Sequence, residues 1–199
     1  RICPRDLGDE HQAELTELDS AIGDADHGIN MARGMSAVIN KLAGDPPSQV
    51  NELCKTVAMT LVTSVGGASG PLYGTFFLRF AGAAGPATEL DAEALDMALR
   101  AGLTGIVERG KAAPGDKTMV DALSPAVDAM ELVIKNGGDL VAAVAAAREA
   151  AAAGRDSTVP LVARKGRASY LGERSAGHMD PGAASMSLLF DALAAELGH

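Results

Sequence analysis

Apolar residues recur along most of this chain at intervals of three and four, the spacing that puts them on one face of an α-helix. Met31, Met35, Val38, Ile39 and Leu42 mark such a stretch over 30–42, which stops at Gly44-Asp45-Pro46-Pro47. Leu53, Val57, Leu61 and Val65 mark another over 50–65, ended by Gly66-Gly67. Past Ser69-Gly70-Pro71 a further helix carries Tyr73, Phe76, Phe77 and Phe80, most of the chain's aromatic residues. Asp91 is placed to cap a helix reaching about Arg109, and Pro114-Gly115 separates it from one that begins near Asp116 and runs to Lys135. Asn136-Gly137-Gly138-Asp139 reads as a stop followed by a cap, and 140–153 is nearly pure helix former, closed by Gly154. Asp180-Pro181 then forms a cap and first-turn pair for a last helix to Leu197. With a helix over 10–18 at the start, the count is about eight, and no alternating β-branched run argues for strands. The expected fold class is all-α, a single domain over 1–199 whose short connections make neighbouring helices largely antiparallel.

Composition sharpens this picture. Hydrophobic residues make up 47% and aromatics only 3%, so the core must be built from Ala and aliphatic side chains on closely packed helices. The net charge of −9 repels nucleic acid and anionic membrane surfaces, so neither is an expected partner, and a phosphate ligand needs metal or a local basic patch. No apolar stretch approaches the ~20 residues that span a bilayer, and no signal peptide is visible. Cys3 and Cys54 have no metal-ligand spacing and make no disulfide framework, which points to a reducing cytoplasmic compartment.

The chemistry concentrates in Leu18-Asp19-Ser20-Ala21-Ile22-Gly23-Asp24-Ala25-Asp26-His27-Gly28. Three carboxylates fall within eight residues, with no cation before Arg33. Asp19 lies in the last turn of the first helix, where the macrodipole disfavours an anion. Gly23 is free to end that helix at positive φ, leaving Asp24 and Asp26 on a short turn that points both toward Asp19. Converging hard oxygen ligands suit Mg²⁺, with positions left for water and phosphate; the spacing is not that of a Ca²⁺-binding EF-hand loop. A solvated acidic turn, with Asp26 capping the next helix, remains the alternative on spacing alone.

Three connections bear on this. Gly66-Gly67-Ala68-Ser69-Gly70-Pro71 offers free amides at a helix N-terminus, either a phosphate site or a tight corner capped by Ser69. The 110–118 segment nearly matches a P-loop, but Asp116 intrudes before Lys117 and no strand precedes it, so Asp116 is expected to cap a helix instead. Residues 156–180 form the longest stretch without helical period and gather Arg164, Lys165, Arg167 and Arg174, which suits either a lid over an anion or a solvated surface loop.

These blocks, together with Gly115-Asp116-Lys117-Thr118-Met119-Val120-Asp121-Ala122-Leu123 and Arg164-Lys165-Gly166-Arg167-Ala168-Ser169-Tyr170-Leu171-Gly172-Glu173-Arg174-Ser175, resemble signatures of the nucleotide-binding L subunit of dihydroxyacetone kinase, in the same order and over nearly the whole chain. The resemblance implies an antiparallel barrel of eight helices that holds ADP or ATP and two Mg²⁺ at one end. It assigns Asp19, Asp24 and Asp26 to the metals. It places His27, Gly28, Ile29, Asn30, Ala68, Ser69, Gly110, Met119, Arg167, Asp180, Pro181 and Gly182 around the nucleotide. Ala68 stands where the family often has Ser, which removes a hydroxyl contact.

The family also implies two mechanisms. In the phosphotransferase-linked form, a separate L subunit keeps ADP as a cofactor, is recharged by a phosphohistidine donor subunit, and passes the phosphoryl group to dihydroxyacetone on a K subunit. In the ATP-dependent form, the same domain is fused behind a K domain. The L-only chain favours the first. Arg167 is then expected to stabilise transition-state charge, and His27 to contact phosphate as a neutral side chain rather than to accept it. A nucleotide-holding regulatory module is the non-catalytic alternative, a metal-dependent phosphohydrolase ranks last, and a homodimer is left open.

Overall fold

The computed structural model describes residues 11–44 and 46–197. Eight α-helices follow one another there: α1 (Gln12–Ile22), α2 (His27–Leu42), α3 (Val50–Ser64), α4 (Ser69–Ala84), α5 (Ala92–Gly110), α6 (Met119–Lys135), α7 (Leu140–Ser157) and α8 (Pro181–Leu197). A 3-10 segment, Arg167–Ser175, precedes the last. No strand occurs among the described residues. Each helix packs on its successor and α8 packs back on α1, so the ring closes into the expected all-α barrel. Cys3, Glu10 and Asp45 lie outside the described residues.

The expected caps at Asp91, Asp139 and Asp180 are in place. Their carboxylates accept from Ala94 N at 2.8 Å, Ala142 N at 2.8 Å and Ala183 N at 2.7 Å. Asp116 is a correction: α6 starts at Met119, capped by Thr118, whose backbone N–H donates to Asp121 in a reciprocal capping box. The Asp116 carboxylate instead accepts from Ala113 N at 2.9 Å, closing the turn before that helix. Gly154 is a second correction, since α7 runs through it to Ser157. A side chain there would put Cβ 2.2 Å from the Asp121 carbonyl oxygen. Pro125, inside α6, has no N–H to donate to that carbonyl. The bare glycine therefore lets α7 close onto α6 at this level, and only their packing reveals that.

Phe76, Leu61, Ile106, Leu123, Met130, Met186 and Phe190 fill the barrel interior, each 1% exposed or less. Against them α7 presents Ala143, Val144, Ala147 and Ala151, and these small side chains allow the close α6–α7 approach. Cys54 is buried and unpaired; burial pushes its thiol up to about 11, so it serves as a small apolar residue. No helix among the described residues is long and apolar enough to cross a membrane.

Two stability predictions follow from this packing. Gly154→Ala should lower unfolding free energy by about 1–3 kcal/mol despite better helix propensity, because the clash is with backbone. Gly82→Ala on α4, where nothing lies within 4 Å of the added Cβ, should raise it by about 0.5 kcal/mol; urea midpoints of the two variants check both signs. Burial raises the Asp180 carboxyl from 3.8 to about 7. The folded chain therefore holds a proton that the unfolded chain releases, so this group's contribution is full at acid pH and lost as pH rises through 7. In the ligand-free protein, the unfolding free energy of wild type relative to Asp180→Asn should fall between pH 4 and pH 7, and a flat difference would contradict the assignment.

Candidate functional site

The Asp19 carboxylate joins two helices. It sits in the last turn of α1, yet its Oδ2 accepts from Asp26 N at 2.8 Å and His27 N at 3.1 Å, the opening amides of α2. The unfavourable end of one macrodipole is thus offset by the favourable end of the next. Asp26 occupies the cap position of α2 but its side chain makes no cap bond, so its carboxylate stays available. Gly23 ends α1 as expected but at φ −137°, and the left-handed residue is Ala25, at φ 60°. Gly23 is needed for space, because a Cβ there would meet Asp19 Oδ1 at 2.0 Å. The turn brings ligand oxygens of Asp19, Asp24 and Asp26 within 4.8 Å of one another.

These carboxylates line a cavity of about 400 Å³ at one end of the barrel. Its wall includes the first residues of α2, α4, α6 and α8 (His27, Ser69, Met119 and Pro181) and the last turns of α1 and α5. The helices therefore alternate in direction, and four N-termini, each favouring an anion, face one space. Leu72, Ile106, Ala112, Met119 and Val120 supply an apolar wall, and Gly66, Gly67, Ala68 and Ser69 supply a corner of backbone. Ala68, Ser69, Gly110, Met119, Arg167, Asp180, Pro181 and Gly182 all line the cavity.

Gly28, Ile29 and Asn30 do not line that cavity. Gly28 lets α2 cross α1, since a Cβ there would lie 2.1 Å from Gln12 O. Ile29 points outward, 48% exposed. Asn30 is buried behind the glycine corner, where its Oδ1 accepts from Arg33 at 2.5 Å and braces Gly66.

His27 is held on both ring nitrogens: Nδ1 lies 3.1 Å from Ser69 Oγ and Nε2 lies 2.9 Å from Ser185 Oγ, which also bonds Tyr73 OH at 2.8 Å. Burial lowers its pKa, against the opposing pull of Asp19 and Asp26, which favours the neutral ring. Ser69 is the first residue of α4 and makes no cap bond; its hydroxyl is tied to His27 at the cavity edge.

The basic stretch is ordered. Its 3-10 turns pack Ala168 and Leu171 on Ile22 of α1, and Arg167 Nη1 lies 3.0 Å from Asp24 Oδ2. Arg109, in the last turn of α5, and Thr118, the cap of α6 within the Gly-Asp-Lys-Thr run, also line the cavity. Lys117 is the main residue that sequence reasoning missed. It is buried, with its ammonium among backbone carbonyls of the 158–178 stretch. The only signal was the Gly-Asp-Lys-Thr run, which looks like a phosphate loop.

The model of the DAK2 domain matches residues 21–195. The ADP-binding subunit DhaL of PEP-dependent dihydroxyacetone kinase from Escherichia coli (strain K12) is 48% identical over 180 residues, covering 90% of this chain and 86% of that protein. The ADP-binding subunit DhaL of the PTS-dependent kinase from Lactococcus lactis is 47% identical, covering 92% and 88%. Among solved structures, the dihydroxyacetone kinase from C. freundii in complex with AMP-PNP and Mg²⁺ aligns with a TM-score of 0.72 at 29% identity, over 97% of this chain and 32% of that one. The chain thus spans about a third of that longer kinase. With the family model covering nearly all of the barrel and the separate subunits matched over most of their length, the chain belongs to the DAK2 domain family.

Proposed function

We propose that this chain is the ADP-binding subunit of a PEP-dependent dihydroxyacetone kinase, acting as one nucleotide-binding domain. The observation that carries the reading is the meeting of three carboxylate ligands within 4.8 Å inside a cavity that four helix N-termini also face. Such a site fits Mg²⁺ with a polyphosphate. Higher identity to separate subunits matched over 86–88% of their length than to the human triokinase/FMN cyclase, at 35% and 33% of its length, supports the phosphotransferase-linked form over the fused ATP-dependent one.

On this reading Asp19, Asp24 and Asp26 hold two Mg²⁺, with Asp19 fixed by the α2 amides and the other two more exposed. The apolar wall takes the base of ADP, and the Ala68–Ser69 corner with its amides takes phosphate, helped by His27. Gly110, Met119 and the Asp180-Pro181-Gly182 start of α8 frame the rest. Bound Mg²⁺ would supply charge neutralisation and orient phosphate oxygens. Arg167 shares Asp24 with that site, so its guanidinium is poised to move from carboxylate to phosphoryl oxygens as charge develops. The chain need not supply a covalent nucleophile: a phosphohistidine donor subunit charges the nucleotide, and a K subunit presents dihydroxyacetone for conversion to dihydroxyacetone phosphate, in the cytoplasm.

Protein purified without added nucleotide and then denatured should release near-stoichiometric ADP. Mixed with a K subunit and a phosphohistidine donor, it should yield dihydroxyacetone phosphate; an empty site with turnover supported by free ATP would favour the fused-kinase branch instead. Asp24→Asn should weaken Mg²⁺ and ADP retention together, measured by calorimetry, because a charged oxygen ligand is lost. Arg167→Ala should cut transfer by roughly a hundredfold, as loss of a transition-state donor does, while ADP affinity changes far less; equal losses would make Arg167 a binding contact only.

A further inference from the structure

Lys117 is 1% exposed and sits at φ +63°, a left-handed conformation that L-residues adopt at a cost. That backbone turn sends the side chain inward. Its ammonium donates to main-chain carbonyls of Thr158 at 2.9 Å, Leu161 at 3.1 Å and Ser175 at 2.8 Å, with Val159 at 3.4 Å and His178 completing the shell. Burying a cation is costly unless its donors are matched, and here three N–H groups meet five acceptors. The arrangement resembles the carbonyl shell of a bound monovalent ion more than a salt bridge.

The acceptors lie on both arms of the 158–178 loop. Thr158, Val159 and Leu161 leave α7; Ser175 and His178 lead into α8. Gly177 N donates to Val159 O at 2.8 Å and Ala163 N to Ser175 Oγ at 2.9 Å, so the ammonium closes a neck. Beyond the neck, the loop packs Ala163, Ala168 and Leu171 against Ile22 of α1 and its Arg164 N donates to Asp116 O at 3.1 Å, and no residue from 158–178 belongs to the main barrel core. Arg167 is carried on this tip, 3.0 Å from Asp24. The pin is therefore placed to set where the guanidinium stands without supporting the barrel.

We propose that Lys117 is a positioning residue for Arg167, a built-in monovalent cation that holds the neck of the 158–178 loop shut and so fixes the guanidinium over the carboxylates. The catalytic consequence rests on the transfer function proposed above; the structural consequence does not. Lys117→Ala leaves a carbonyl-lined hole next to the cavity that a small primary ammonium can fill, whereas Lys117→Met fills the same space without charge or donors.

Both variants are compared with wild type by amide hydrogen exchange, ADP retention and transfer to a K subunit. In each, exchange should quicken across 158–178 with α3, α4 and α5 unchanged. Transfer should fall by roughly a hundredfold, the effect of misplacing a reacting group by about 1 Å, with ADP retention little changed. Propylammonium should restore loop protection and most of the transfer to Lys117→Ala but not to Lys117→Met, and tetramethylammonium, which has no N–H, should restore neither. Exchange that rises evenly through all helices, or a loop that stays protected with transfer intact, would overturn the proposal. If wild type itself transfers nothing, the function proposed above fails, and loop protection with its rescue by propylammonium decides this proposal alone.

Discussion

One carboxylate sets the geometry of the site. Asp19 is placed where the end of α1 should repel it, and the opening amides of α2 hold it there at 2.8 and 3.1 Å. That contact fixes the angle of the turn between the two helices, and the turn in turn places Asp24 and Asp26. The same contact explains two neighbours: Gly23 leaves room for the Asp19 carboxylate, and Gly28 lets α2 lie close enough to α1 to present its amides. A larger residue at either position would break the convergence, at 23 by striking the Asp19 carboxylate itself and at 28 by pushing α2 away from α1.

The barrel supplies the rest of the electrostatics by alternation. Because successive helices run in opposite directions, four N-termini reach the end that also carries the acidic turn. Amides that favour anions thus face carboxylates that favour cations across one cavity, which is the charge pattern of a metal–phosphate ligand rather than of either part alone. The apolar wall built from Leu72, Ile106 and Val120 belongs to the same helices that make the core, so the cavity is an end of the core left open.

The basic loop follows a different rule. It contributes little to the main core and is ordered by polar contacts, the Lys117 ammonium at its neck and the Arg167–Asp24 pair at its tip. In a chain with net charge −9, these cations are spent on local order beside the acidic turn. A segment tied by few charged contacts opens more readily than a packed helix.

By itself the sequence determined the helices and where its acids gather. Periodic apolar positions, Asp caps and glycine stops are local signals, and they placed the all-α fold, the turn at 19–28 and the corner at 66–71. The tertiary structure decided which of those residues share a space. Gly154 and Asp116 read locally as a stop and a cap, and packing of α7 on α6 and the Thr118–Asp121 capping box gave them other roles. Gly28, Ile29 and Asn30 belong to the site's motif, yet helix rotation turns them behind it or away from it. Lys117 was invisible as a buried ion because its five acceptors lie 41 to 61 residues away, and a side chain's partners at that distance are set only once the barrel has closed.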